Sequence, residues 1–199
     1  LNLKKNTLNK LTLFFVEEIN NVLKKKKSSL SLLKTYLHQQ ASQKEGLFLA
    51  VDLGGSNLRV AKIKLKKETL QKKLTLQNSS KIKNKITPKQ KENPLLLFST
   101  IAKNLKKLLK NHPSEALSLG FTFSFPMHQT NRNNGQIIIL NKEFATIKIK
   151  DKNPRALLEQ ALKKEQINNI QINALLNDTT ATLLCQSYFD KNCTLSIIL

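Results

Sequence analysis

Gly46-Leu-Phe-Leu-Ala-Val-Asp52, running on into Leu53-Gly54-Gly55-Ser56-Asn57-Leu58-Arg59, is the stretch whose reading decides the fold. Its first half is a short apolar run rich in strand formers. Two glycines, a serine and an asparagine then supply turn chemistry. From Leu58 to Leu65 the residues roughly alternate, with Val60, Ile63 and Leu65 between polar positions. The whole predicts a β-hairpin. Glycines at 54 and 55 can adopt φ > 0 and leave amides open to a phosphate. Ser56 adds a hydroxyl, Arg59 a fixed cation, and Asp52 a carboxylate that would lie near a metal carried by such phosphates. The chain has only five glycines and four aspartates, so Asp-x-Gly-Gly stands out. It is neither a P-loop nor a dinucleotide fingerprint. The same residues would also make a plain two-glycine turn.

Upstream of the hairpin, Leu8, Leu11, Phe15, Ile19 and Val22 recur at helical spacing, and Lys24 to Lys27 follow where cations suit a helix C-terminus. A second short helix is expected over Leu30 to Gln39. Downstream, Thr69 to Ile86 reads as a weaker strand drifting into a loop at Ser79-Ser80. Residues 62–93 hold 11 lysines and are expected to be exposed. Phe98, Ile101, Leu105 and Leu108 predict a helix ended by His112-Pro113. Strands follow over Ala116 to Phe125 and Gln136 to Leu140. Asn153-Pro154 opens a helix with inner positions Leu157, Leu158, Ala161 and Leu162. Ile172 to Leu176 is a strand, Asp178 to Phe189 a helix, and Thr194 to Leu199 a strand. A hairpin followed by alternating helices and strands predicts a mixed α/β sheet.

Two further segments carry candidate chemistry. In Leu119-Gly-Phe-Thr-Phe-Ser-Phe-Pro126, three phenylalanines alternate with Thr122 and Ser124. One face would be buried and the other would present hydroxyls at the strand end; a half-buried strand without a ligand reads the same way. In Leu175-Leu-Asn177-Asp178-Thr-Thr-Ala-Thr-Leu183, an apolar strand delivers Asn-Asp to a helix start. Asp is a favoured N-cap. A helix N-terminus also favours the negative charge that a general base must carry.

With 199 residues, 40% of them apolar, the chain is long enough for one cored domain, or one lobe and part of another, and is not a disordered tail. Its formal net charge of +21 comes from 31 Lys and 3 Arg against 13 acidic residues. Nucleic-acid readers rely on Arg for bidentate contacts. The lysine excess therefore argues for solvated lysines and no nucleic-acid partner, with a polyanion-binding surface as the rival reading. No apolar run approaches the roughly 18 residues that cross a bilayer. Cys185 and Cys193 match no zinc or redox spacing and no disulfide framework, and read as reduced thiols of a cytoplasmic protein. His38, His112 and His128 are too scattered to predict a metal cluster.

In three segments, in order, the chain resembles the hexokinase/glucokinase family. Asp52-Leu-Gly-Gly-Ser-Asn-Leu-Arg59 is similar to the family's first phosphate motif, D-L-G-G-T-N-F-R. Leu119-Gly-Phe-Thr-Phe-Ser-Phe-Pro126, with Gln129 following, is similar to its sugar-binding strand. Asn177-Asp-Thr-Thr-Ala-Thr-Leu183 is similar to N-D-T-T-G-T-L. Ser31-Leu-Leu-Lys-Thr-Tyr36 and Asn192-Cys-Thr-Leu-Ser-Ile-Ile198 add weaker agreement.

The resemblance implies an α/β fold: the small lobe of a ribonuclease-H-like (actin-like ATPase) pair, with a mixed five-stranded sheet, N-terminal helices before it and the large lobe missing. Residues 1–45 would be the helical segment, 46–192 the small lobe and 193–199 the first strand of the large lobe, in a fragment of a longer protein. The implied activity is ATP-dependent phosphorylation of a hexose, glucose foremost, at its 6-hydroxyl, the first step of glycolysis, with Mg²⁺ accompanying ATP. Asp178 would be the general base. Ser124, Phe125, Asn141, Lys142, Asn177 and Asp178 would bind the sugar. Gly54, Gly55, Ser56, Asn57 and Arg59 would line the phosphate path, with Asp52 near the Mg²⁺. The family's W-T-K-G-F segment stands here as Leu140-Asn-Lys-Glu-Phe144. Lys142 is kept, while Leu140 and Glu143 alter the loop. A sugar-binding or regulatory module with weakened catalysis is therefore the alternative expectation.

Overall fold

The computed structural model describes residues 4–30, 32–36, 44–67, 74–109, 115–140, 144–145, 149–196 and 198. The chain divides into two compact units, Leu1–Lys34 and Thr35–Leu199. In the first, α1 (Lys5–Leu23) is the expected helix, and Lys25 takes a left-handed φ of 56° just past its end. Ser28 and Ser29 then turn back onto the Glu18 carboxylate through their hydroxyls and the Ser29 amide. The second helix expected over Leu30 to Gln39 does not form among its described residues, Leu30 and 32–36. Leu32 and Leu33 are exposed, and a short helix with no face to bury is unstable in water.

In the second unit the hairpin forms as read. Strands β1 (Gly46–Leu53) and β2 (Asn57–Lys67) pair antiparallel, with Leu53 opposite Leu58 and Asp52 opposite Arg59. β3 (Leu74–Lys85) pairs antiparallel with β2 along its length. Ser79 and Ser80 are therefore strand residues, not the expected loop: an edge strand gains its bonds from one neighbour and needs no continuous apolar face. Thr87-Pro88 starts a helix that the sequence reading missed, α2 (Pro88–Glu92), closed by a capping box between Thr87 and Gln90. α3 (Leu95–Leu108) follows; its expected stop at His112-Pro113 lies outside the described residues.

β4 (Leu117–Phe123) runs parallel to β1. β5 (Met127–Asn131) and β6 (Asn134–Ile137) then make a separate two-stranded hairpin. It replaces the single strand expected over Gln136 to Leu140. α4 (Pro154–Lys164) begins at the N-cap Asn153, whose side chain accepts from the Arg155 amide at 2.9 Å. β7 (Ile170–Leu176) runs parallel to β4, and α5 (Asp178–Phe189) ends the regular structure. The sheet order is β3-β2-β1-β4-β7, the expected mixed five-stranded sheet. Residues 194–196 and 198 form no strand. An apolar run becomes a strand only beside a hydrogen-bonding neighbour, and none of the described strands pairs with it.

Alternation decides which side of the sheet is core. In β4, Leu117, Leu119, Phe121 and Phe123 are buried, while Ser118, Gly120 and Thr122 are half-buried on the other face. Leu49, Val51 and Leu53 of β1 and Leu58 and Val60 of β2 join the buried set beneath Phe98, Ile101 and Leu105 of α3 and Leu158 and Leu162 of α4. Asn104 is buried among them, and its amide is satisfied by Asn84 Oδ1 at 2.7 Å.

Candidate active site

Three parallel strands, β1, β4 and β7, lie side by side, so their carboxyl ends share one edge of the sheet. Leu53 is level with Phe123, and Thr122 with Leu176. The residues that follow these ends are Gly54, Ser124 and Asn177: one from each segment singled out in the sequence. The Ser124 amide donates to the Leu53 carbonyl at 3.0 Å, which ties the first two together. Open α/β sheets bind ligands at this edge, because there the connections leave the strands and polar groups are free of the ladder.

The turn Gly54–Asn57 is closed by the Gly54 amide donating to the Asn57 carbonyl at 3.0 Å. Gly54 takes no positive φ, and its amide, donated to Asn57, is not open to a phosphate. A Cβ there would sit 3.4 Å from the Asn57 carbonyl oxygen, so a side chain would press on the turn without forbidding it. Gly55 is buried and Ser56 exposed. The Ser56 carbonyl accepts from the Ile86 amide at 3.0 Å, which holds the turn against the end of β3. Asp52 and Arg59 are cross-strand partners on the face away from the core. Arg59 Nη1 donates to Asp52 Oδ2 at 2.5 Å, with side chains 51% and 35% exposed. A pair so exposed adds little stability. It does set a carboxylate and a guanidinium together beside the turn, a donor set that fits a phosphate and its accompanying cation.

Ser124 follows β4 and is half-buried. Phe125 is different. Its side chain is 1% exposed and packs between Phe123 (5.1 Å between ring centroids) and Phe144 (5.3 Å). The ring therefore supports Ser124 from the core side. Asn141 and Lys142, the other expected sugar contacts, lie outside the described residues. Their flanks are anchored: Leu140 and Phe144 are buried, and the Ala145 amide donates to the Lys91 carbonyl at 2.9 Å. The Lys91 ammonium lies 5.9 Å from the Phe144 ring centre. The unforeseen α2 thus holds Ala145, just past Asn141 and Lys142, while Ile86 just before it bonds to the Gly54–Asn57 turn. Its signal, Thr-Pro-x-Gln at 87–90, is a legible capping box.

At the third strand end, Asn177 rather than Asp178 is the N-cap of α5. Its side chain accepts from the Thr179 amide at 3.1 Å. Asp178 occupies the first helical position, and its Oδ1 also accepts from the Thr179 amide at 2.8 Å. Both residues are half-buried. The capping task expected of the aspartate is thus carried by its neighbour, which leaves Asp178 at the mouth of the helix. No group of three or more His, Cys, Asp or Glu residues that could hold a metal is found among the described residues.

The family model described as Hexokinase matches residues 1–188. Among curated proteins, the chain is 32% identical over 201 residues to Hexokinase-1 of Saccharomyces cerevisiae, covering 96% of this chain and 40% of that protein. It is 33% identical over 175 residues to Hexokinase HKDC1 of Mus musculus, covering 86% of this chain and 19% of that protein. Among solved structures, a hexokinase from Schistosoma mansoni complexed with glucose superposes with a TM-score of 0.66 at 27% identity, covering 94% of this chain and 38% of that one. A second hexokinase crystal structure gives 0.72 at 25% identity, covering 94% and 45%. The chain spans about two fifths of the length of the yeast relative. Its sheet, the three strand ends that converge on one edge, and these likenesses agree: the chain belongs to the hexokinase family.

Proposed function

We propose that this chain supplies the small-lobe side of the cleft of an ATP-dependent hexose kinase that phosphorylates glucose at its 6-hydroxyl. The observation that carries the reading is the meeting of Gly54, Ser124 and Asn177-Asp178 at adjacent carboxyl ends of β1, β4 and β7. The Asp178 carboxylate accepts the proton of the 6-hydroxyl as its oxygen forms a bond to the γ-phosphorus of ATP; the bond from that phosphorus to the bridging oxygen breaks, and ADP leaves. Such a transfer needs positioning and charge neutralisation more than covalent help. Ser124, Asn177, Asn141 and Lys142 orient the sugar. The Gly54–Asn57 turn and Arg59 steady the phosphates. Mg²⁺, carried with ATP beside Asp52, would neutralise charge on the transferring phosphoryl group.

Within this reading, residues 1–45 are the N-terminal segment that carries α1, and 46–192 are the small lobe. Residues 1–199 alone are not expected to turn over. Two free cysteines, Cys185 and Cys193, support a reducing, cytoplasmic setting. Among the described residues no helix is long and apolar enough to cross a membrane.

The test is ADP release by the natural protein that contains this chain, with and without glucose. Asp178→Ala is expected to lower kcat by about 10²–10⁴-fold, the usual worth of a general base; undiminished turnover would remove Asp178 from that role. A second reading, a sugar-binding module with weak catalysis, is favoured by the altered loop Leu140–Phe144. It predicts glucose binding by calorimetry with no glucose-dependent ADP.

A further inference from the structure

β7 lies at one edge of the five-stranded sheet, yet the outer side of Leu175 is occupied. The Gln129 Nε2 donates to the Leu175 carbonyl at 2.6 Å, and the Leu175 amide donates to the Arg132 carbonyl at 2.9 Å. Three residues earlier in β7, Asn133 Nδ2 donates to the Ile172 carbonyl at 3.2 Å. All three bonds come from the β5–β6 hairpin, so the hairpin grips the edge of β7 without pairing as a sixth strand.

The grip is itself anchored. Ile137 of β6 exchanges backbone hydrogen bonds with the approach to α4: its amide donates to Lys152 at 3.0 Å, and its carbonyl accepts from Asp151 at 2.9 Å. Asn134 accepts from Asn153, the N-cap of α4. Gly135 lets the two hairpin strands close tightly, since a Cβ there would meet the His128 carbonyl oxygen at 3.1 Å and Gln129 Cα at 3.2 Å. Gln129 is 7% exposed and Leu175 fully buried. A buried carbonyl that loses its donor has no water to turn to, so its backbone must shift to find another. Leu175 stands only two residues before Asn177 and three before Asp178.

We infer that Gln129 is a positioning residue, which fixes the end of β7, and with it Asn177 and Asp178, through its hydrogen bond to the Leu175 carbonyl. The inference rests on the kinase reading for its effect on rate, but its structural half does not. Misplacing a reacting group by about 1 Å costs on the order of a hundredfold in rate.

The test uses the natural protein with Gln129→Met, which keeps length and apolar bulk but has no donor, and Gln129→Glu, which keeps the shape. Gln129→Met is expected to lower kcat about 10- to 100-fold with the KM for ATP unchanged. It should also speed amide exchange over residues 178–181, with residues 54–57 unchanged. In Gln129→Glu the ionised carboxylate cannot donate to Leu175, whereas the protonated acid can. The ratio of its kcat to that of the wild type should therefore rise as pH falls from about 8 to about 6, since a buried carboxyl facing a carbonyl holds its proton to higher pH. Wild-type kcat in Gln129→Met, exchange that is unchanged or that rises evenly across the sheet, or a flat ratio for Gln129→Glu would each overturn the inference. Should Gln129→Met fail to fold, the pH ratio and exchange in Gln129→Glu decide. If the wild type phosphorylates no hexose, the kinase reading fails, while the exchange pattern still tests the positioning role.

Discussion

Phe144 is the first described residue after Asn141 and Lys142, and the structure sets what its removal should cost. Its ring is 7% exposed, meets the Phe125 ring edge-on at 5.3 Å and 82°, and faces the Lys91 ammonium at 5.9 Å. Burying a phenylalanine contributes about 1.5–3 kcal/mol. The edge-on contact adds about 0.5–1.5 kcal/mol, and a cation over the face about 0.5–1 kcal/mol at a site this close to solvent. Phe144→Ala should therefore destabilise by about 3–5 kcal/mol, as ring deletions in cores do. Phe144→Leu keeps most of the apolar area and loses the two ring-specific terms, so about 1–2 kcal/mol is expected. Lys91→Ala should cost least, about 0.5–1 kcal/mol. Urea unfolding, read at constant slope, measures all three. Glucose titration of Phe144→Leu should show weakened binding, because the chain next to Lys142 loses its aromatic contact with Phe125. A cost below about 1 kcal/mol for Phe144→Ala, or a Lys91→Ala cost as large as that of the ring, would refute this account of how Phe144 is held.

Asn177→Ala removes the N-cap of α5 and is expected to cost about 0.5–2 kcal/mol, with Asn177→Ser recovering most of it; thermal unfolding of both variants checks this. Asn177→Ala should also weaken glucose binding, whereas a purely capping residue would leave sugar titration unmoved. Glu18 is held below the ordinary glutamate range, chiefly by the Ser29 hydroxyl, then by the Ser29 amide and the Ser28 hydroxyl. A lowered carboxyl adds stability that is fully present above its unfolded value, near about 4.3, and is lost as pH falls through the lower folded value. NMR titration of the Glu18 carboxyl should give a midpoint below that of a free glutamate, and Ser29→Ala should move it upward; an ordinary midpoint in the wild type would exclude the clasp.

Much of the fold is legible from short-range chemistry. The hairpin at 46–65 needs only an apolar run, a Gly-Gly turn and alternation. The start of α4 needs only Asn153-Pro154, and that of α5 only an apolar strand running into Asn177-Asp178. The misreadings come from segments whose fate depends on what lies beside them. Ser79-Ser80 looks like a loop but pairs with β2 throughout. Thr194 to Leu199 looks like a strand but has no paired neighbour among the described residues. Met127–Ile137 folds as a hairpin because Gly135 allows close approach of its strands and Ile137 bonds back to Lys152, and the second of these contacts is not local in sequence.

The candidate site divides the same way. The sequence by itself determined which residues are available and in what order: a carboxylate and a glycine turn at 52–57, a hydroxyl at 124 and an Asn-Asp pair at 177–178. Local composition is enough for that, since turns, caps and alternation depend on neighbours a few residues away. Only the tertiary structure decided that these groups meet, because parallel pairing of β1, β4 and β7 joins strands separated by whole helices. It also decided that the Phe125 ring packs against Phe144 and that Gln129 holds the edge of β7. Each of these depends on which buried polar and apolar groups find partners across the fold, and burial is a property of the assembled sheet and helices, not of any short stretch of chain.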